Sequence, residues 1–143
     1  EGETILSFVR RHTTYDYVPT LCDAPNLEPF GSCRVCSVEV GLKEDGPYRT
    51  QASCHTPAIA GSYIVTDSDK IHALRKNIVE LVLTDHPLDC DHCSSNNHCE
   101  LQTVANRLGI KDVRYPEGLN HFETAPDLSH PYMRSDLSKC INC

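Results

Sequence analysis

An α+β fold organised around grouped cysteines is what this 143-residue sequence predicts, on three observations. Apolar residues recur at helical spacing in three stretches. Between the first two of these, short stretches of alternating or β-branched residues are separated by glycine- and proline-containing turns. The nine cysteines fall in three groups, each with one C-x2-C pair.

The elements follow in order. Ile5, Leu6, Phe8 and Val9 lie at helical spacing behind Thr4, a natural N-cap, so residues 2–11 read as a short helix. Val18-Pro19 breaks the chain. Cys22 to Cys36 holds Pro25, Pro29 and Gly31 and reads as an irregular loop. Cys36, Val38 and Val40 alternate with Ser37 and Glu39, which predicts a strand, and Tyr48 to Ser53 is its returning partner across a turn at 41–47. Tyr63 to Thr66 is a further strand. Asp67, Ser68 and Asp69 are candidate N-caps for a helix whose apolar face is Ile71, Leu74, Ile78, Leu81 and Val82, ended by His86-Pro87. Leu101, Val104, Ala105 and Leu108 mark a last amphipathic helix stopping at Gly109. Residues 111–137 have little periodicity and read as an extended connector.

Composition narrows the function classes. A formal charge of -7 with no basic run and no Trp excludes a nucleic-acid surface. The longest apolar stretch, Ile78 to Leu83, is interrupted by Glu80, so no membrane span is expected. An odd cysteine count, in a chain longer than the usual small disulfide scaffold, argues against a disulfide framework and for a reducing, cytoplasmic setting. No glycine-rich nucleotide loop, phosphate loop or nucleophile triad is present, and no catalytic residue is assigned.

The cysteines carry the chemistry. In the first group ten residues separate Cys22 from Cys33, two separate Cys33 from Cys36 and seventeen separate Cys36 from Cys54. One long loop with three thiolates and a distant fourth matches a [2Fe-2S] site of the plant-ferredoxin kind with a widened first gap; a four-cysteine zinc site is the alternative, although zinc ligands usually come as two short pairs. The second group is His86, Cys90, Cys93 and Cys99. Three thiolates and one imidazole within fourteen residues suit either zinc or a four-iron cluster, and spacing alone leaves both open. His92 and His98 read as solvated side chains. The third group is Cys140 and Cys143 alone.

Three further stretches bear on this: Gly31-Ser32-Cys33-Arg34-Val35-Cys36-Ser37-Val38-Glu39-Val40, then Ala52-Ser53-Cys54-His55-Thr56-Pro57, then His86-Pro87-Leu88-Asp89-Cys90 through Cys99-Glu100-Leu101-Gln102. Together they resemble the N-terminal electron-transfer region shared by three kinds of protein. These are the large iron-sulfur subunit of respiratory NADH dehydrogenase, the iron hydrogenases, and the catalytic alpha subunit of molybdenum- or tungsten-dependent NAD formate dehydrogenases. His86-Pro87-Leu88-Asp89-Cys90, Cys99-Glu100-Leu101-Gln102, Asp112-Val113-Arg114-Tyr115-Pro116, His130-Pro131-Tyr132 and Asp136-Leu137-Ser138-Lys139-Cys140 are most similar to the formate dehydrogenase.

The resemblance implies a ferredoxin-like β-grasp [2Fe-2S] domain over residues 1–66, with Cys22, Cys33, Cys36 and Cys54 as ligands. It implies a helical [4Fe-4S] domain over 67–110, held by His86, Cys90, Cys93 and Cys99. Residues 111–143 become a connector and the start of a bacterial-ferredoxin-type module, in which Cys140 and Cys143 are the first two ligands of a further [4Fe-4S] cluster. The N-terminal hairpin of the β-grasp is missing and the third group is incomplete, so the expectation is a stretch of a longer polypeptide with a catalytic domain downstream. The function implied is electron transfer within a formate dehydrogenase that oxidises formate to carbon dioxide. The pterin metal, FMN and NAD would lie elsewhere in the complex, and a flavin/NAD-binding subunit would be the partner. An electron-input subunit of an NADH dehydrogenase or hydrogenase is the first alternative, and a zinc-binding interaction module the second.

Overall fold

The computed structural model describes residues 2–13, 18–118 and 125–141. The chain forms two compact units, Glu1–Ile78 and Val79–Cys143, divided inside one long helix. Helix α1 (Ile5–His12) begins at Thr4, whose hydroxyl accepts the Ser7 N–H. Strands β1 (Ser37–Gly41), β2 (Arg49–Ala52) and β3 (Tyr63–Val65) follow, then α2 (Asp69–Thr84) and α3 (Glu100–Arg107). Short 3-10 turns occupy Cys90–His92 and Leu137–Lys139. An α+β architecture with a three-stranded sheet is therefore present, and each predicted helix and strand has its counterpart.

The sheet has the order β2-β1-β3 and is antiparallel throughout. Ser37 faces Ala52 and Val40 faces Arg49 on one side of β1, while Glu39 faces Val65 on the other. In the first unit the core is Ile5, Leu6, Val9, Val18, Cys36, Val38, Ala52 and Cys54. Two prospective metal ligands thus sit inside the hydrophobic core rather than on a surface loop. The first turn of α1 has its orphan donors satisfied by the segment around Cys54: Ile5 N–H donates to the Thr56 carbonyl and Leu6 N–H to the Ser53 carbonyl, both at 2.9 Å.

Helix α2 departs from its predicted face. Ile71, Arg75 and Val79 are buried at four-residue spacing and Glu80 is fully buried, whereas Leu81 is 53% exposed. The apolar periodicity located the helix but misjudged its inward side, because two charged residues find partners there. Arg75 donates from Nη2 to the carbonyls of Ser37 (2.7 Å) and Thr66 (2.9 Å), tying the second turn of α2 to the sheet and to the residue after β3. Glu80 Oε2 accepts from Arg114 Nε (2.7 Å) and Nη2 (2.6 Å), anchoring the segment that follows α3. Each buried ion is partnered through one atom, Arg75 Nη2 and Glu80 Oε2, while Arg75 Nε and Glu80 Oε1 are buried without a hydrogen-bond partner among the described residues.

Helix α3 buries Leu101, Val104 and Ala105, and Leu108 at its C-cap is buried with them, the four residues the periodicity singles out. Gly109 follows it at φ +64°, the left-handed conformation that suits glycine just past a helix end. The connector holds no helix or strand among its described residues up to Asp136; Asp127 and Ser135 form an isolated antiparallel bridge.

Candidate metal centres

The first group converges. Cys22, Cys36 and Cys54 are buried and Cys33 is half-buried. The Cys33 N–H donates to Cys22 Sγ at 3.4 Å, and the Cys36 and Cys22 sulfurs lie near enough to Cys54 to act on its thiol. Local chemistry builds each position. Arg10 pins the Cys22 loop to α1 by pairing with Asp23 and donating to Thr20 Oγ1. Arg34 adopts φ +62°, and its carbonyl accepts the Ser37 N–H at 3.1 Å and Ser37 Oγ at 2.6 Å, closing the turn between Cys33 and Cys36. Ser53 Oγ donates to the Cys36 carbonyl at 2.7 Å, so the residues bearing Cys36 and Cys54 are locked together. Gly31 at φ +68° allows the loop to pass Ala52 and His55, whose Cβ atoms would lie 3.4 Å from an added Cβ.

Electrostatics show what this site demands. Burial pushes the Cys54 thiol up to about 12, reinforced by the Cys36 and Cys22 sulfurs and by Asp23. Burial also raises the Cys33 thiol, against backbone N–H groups of Val35, Cys22 and Leu21 directed at its sulfur. Cys33 and Cys54 therefore resist ionising unless a cation is beside them. Among the described residues no three His, Cys, Asp or Glu side chains are placed to hold a single metal ion. Four thiols, three of them buried, are a donor set that a two-iron cluster uses.

The second group lines one cavity. His86, Cys90, Cys93 and Cys99 all border a space of about 750 Å³, with Leu83, Leu101, Ala105, Ile110 and Val113 among its apolar walls. The cavity is far larger than one ion requires, a water taking roughly 30 Å³ in the liquid. Cys90 opens a 3-10 turn and Cys99 stands at the N-cap of α3. The loop between is clasped by Gln102, whose Oε1 accepts the Asn97 N–H and whose Nε2 donates to Asn96 Oδ1, each at 2.9 Å. This clasp holds Asn97 at φ +63°.

The imidazole of His86 is half-buried, and burial lowers its pKa, keeping it neutral. Its Nδ1 lies 3.3 Å from the Cys140 carbonyl, an acceptor only, so Nδ1 carries the proton and Nε2 keeps its lone pair. A neutral imidazole with a free lone pair is the form that binds metal. His92 is exposed and pairs with Asp89 at 2.6 Å, and His98 is also exposed. Cys140 is half-buried beside His86, while Cys143 lies outside the described residues. Both donor sets are sulfur-rich and fit iron-sulfur chemistry; the first is largely buried and supplied with N–H groups at Cys22 and Cys33, while the second is more open, with Cys90 exposed.

Sequence reasoning missed three contributors: Arg75, Glu80 and the clasping role of Gln102. Arg75 was detectable, since Ile71, Arg75 and Val79 fall on one stripe at four-residue spacing. Gln102 and Glu80 depend on loop contacts that no periodicity reports.

Two family models match the chain: a 2Fe-2S iron-sulfur cluster binding domain over residues 1–69, and the NADH-ubiquinone oxidoreductase-G iron-sulfur binding region over 75–114. The chain carries the 2Fe-2S and 4Fe-4S N-terminal region of the NADH-quinone oxidoreductase G and NAD-reducing hydrogenase type. The NADP-reducing hydrogenase subunit HndD of Solidesulfovibrio fructosivorans is 39% identical across all of this chain and 24% of its own length. The NADPH-Fe(3+) oxidoreductase subunit alpha of Geobacter sulfurreducens is 36% identical over 88% of the chain and 14% of its own. A solved NAD+-reducing [NiFe]-hydrogenase in the H2-reduced state superimposes with a TM-score of 0.83 at 30% identity, over 98% of this chain and 56% of that one. The chain thus spans between about a seventh and a quarter of these two curated relatives. The relatives are oxidoreductase subunits. Among the described residues no helix is long and apolar enough to cross a membrane.

Proposed function

We propose that this chain is an electron-conducting segment of an NAD-linked formate dehydrogenase complex in the cytoplasm, with a flavin/NAD-binding subunit as its partner. The observation that carries the electron-transfer reading is the burial of Cys22, Cys36 and Cys54, the last two inside the hydrophobic core, with the Cys33 N–H donating to Cys22 Sγ. In this reading Cys22, Cys33, Cys36 and Cys54 hold a [2Fe-2S] cluster in a ferredoxin-like β-grasp domain. His86, Cys90, Cys93 and Cys99 hold a [4Fe-4S] cluster, and Cys140 and Cys143 begin a further one. When bound, the clusters supply one-electron redox chemistry.

The chain's own residues set the conditions for it. Ile5, Leu6, Val9 and Val38 exclude water from the first site. Backbone N–H groups of Val35, Leu21 and Cys22 face the Cys33 sulfur, where they favour the thiolate and stabilise added negative charge. Burial lowers the Arg75 guanidinium from its ordinary range against the opposing charges of Asp67 and Cys36, and the guanidinium places a positive charge near the same site. At the second site neutral His86 replaces a thiolate, which removes one negative charge and raises the potential relative to four cysteines.

The formate assignment rests on Asp112-Val113-Arg114-Tyr115-Pro116 and His130-Pro131-Tyr132, which resemble that dehydrogenase most. The catalytic pterin metal would lie outside these residues. The relatives reported above favour a second reading, an electron-input subunit of an NADH dehydrogenase or an NAD-reducing hydrogenase. Anaerobic mixing of the native complex with formate, hydrogen or NADH, followed by freezing and electron paramagnetic resonance, separates the two. Cluster signals developing with formate support the first reading; signals with hydrogen or NADH and none with formate overturn it.

A further inference from the structure

The hydrogen bond between His86 and Cys140 joins two groups 54 residues apart in the chain, and it has a device behind it. The Cys140 carbonyl is not free to wander. Cys140 N–H donates to the Leu137 carbonyl at 3.1 Å, closing the 3-10 turn Leu137–Lys139. That turn begins at Asp136, whose Oδ1 accepts the Ser138 N–H at 3.2 Å and also the Ser138 hydroxyl. The Ser138 bonds also hold the Asp136 carboxyl below its ordinary pKa, so the cap is ionised at neutral pH. Lys139, within the turn, borders the same cavity as His86, Cys90, Cys93 and Cys99.

An imidazole turned by half a revolution about its Cβ–Cγ bond exchanges a nitrogen for a carbon on each side of the ring. A hydrogen bond at Nδ1 removes that freedom and fixes the tautomer, leaving Nε2 as the unprotonated nitrogen. Without the Cys140 carbonyl in place, the same ring is free to sample orientations that present carbon, or a protonated nitrogen, toward the cavity.

We propose that Asp136 is a positioning residue for the histidine-containing site. By capping the Leu137–Lys139 turn it holds the Cys140 carbonyl against His86 Nδ1 and thereby orients the imidazole for metal binding. The inference deepens the proposed function and rests on His86 being a ligand there. It also makes the backbone at the third cysteine group part of the support of the second site, so ordering of one reinforces the other.

The test uses the full iron-sulfur protein with ¹⁵N-labelled histidine and three variants, Asp136→Ala, Asp136→Asn and Asp136→Ser. Asparagine and serine keep an oxygen able to cap the turn, and alanine does not. Pulsed electron paramagnetic resonance of the reduced protein reads the imidazole nitrogen coupling, and a ferrous chelator reads the rate of iron loss. Asp136→Ala is expected to split or weaken the nitrogen coupling and to release second-site iron on the order of tenfold faster, the usual scale for losing an outer-shell partner. Asp136→Asn and Asp136→Ser are expected to restore both. The two-iron signal of the first unit is the internal reference: its proportional loss in Asp136→Ala would mean general unfolding and overturn the local role. Wild-type coupling and release rate in Asp136→Ala would overturn the inference while leaving His86 ligation intact. Absence of any imidazole coupling in the wild type would instead bring down the ligand assignment, and the inference with it.

Discussion

Removing metal from the first cysteine group exposes the property that most directly reports its packing, the reluctance of Cys54 to ionise. With its thiol pushed from an ordinary 9.0 up to about 12, the thiolate fraction at pH 8 falls from roughly one in ten to roughly one in ten thousand. Alkylation proceeds through the thiolate, so Cys54 in the folded, metal-free chain is expected to react with iodoacetamide about 10³-fold more slowly than an unburied thiol. The sign for stability follows from the same shift. The folded-state value lies above the unfolded one, so the stabilisation is complete below about pH 9 and is lost as pH rises toward about 12. Metal binding has the opposite dependence, because the proton on Cys54 must leave, and its apparent affinity rises with pH through this range. The assay is timed alkylation under reducing anaerobic conditions with peptide mass mapping, using exposed Cys90 as the reference and far-UV circular dichroism to certify the fold. Equal rates at Cys54 and Cys90 in a folded sample would refute the account of a buried, sulfur-crowded site.

Other consequences follow from particular contacts. His86→Cys adds a negative charge at the second site, so its midpoint potential is expected to fall in a redox titration; an unchanged or higher value counts against histidine as a ligand. Arg75→Met removes two buried bonds to the Ser37 and Thr66 carbonyls, and after relief of the buried charge a net destabilisation of about 2–3 kcal/mol is expected in urea unfolding, with none detected if α2 is held only by its apolar residues. The same substitution is expected to lower the potential of the first site. Gln102→Ala opens the clasp on Asn96 and Asn97, and iron loss from the second site to a chelator should accelerate by roughly tenfold while the first site keeps its rate.

Much of the architecture is legible because local patterns and tertiary demands agree. Thr4 caps the helix its apolar spacing calls for, the alternation from Cys36 to Val40 locates β1 although Ser37 is buried beside Cys36 and Val38, and Gly109 ends α3 where the periodicity stops. Helix α2 was legible in extent and misleading in face, since hydropathy counts Leu81 as core and Arg75 as surface. Backbone carbonyls at Ser37 and Thr66 reverse the latter by supplying acceptors that sequence does not display. The candidate sites divide in the same way. Cysteine spacing marks the candidate ligands, but the closing of the Cys33–Cys36 turn by Ser37 and the tie of Cys36 to the Cys54 segment by Ser53 are not displayed in it. The support of His86 by Cys140, 54 residues away, is a product of tertiary structure alone.

The central claim is that the two cysteine groups hold iron-sulfur clusters of different size. Iron and acid-labile sulfide analysis of anaerobically purified chain, combined with low-temperature spectra of the reduced state, tests it most directly. The account predicts about six irons and about six sulfides per chain, with one two-iron and one four-iron paramagnetic signal. A colourless protein containing zinc and no acid-labile sulfide would contradict it.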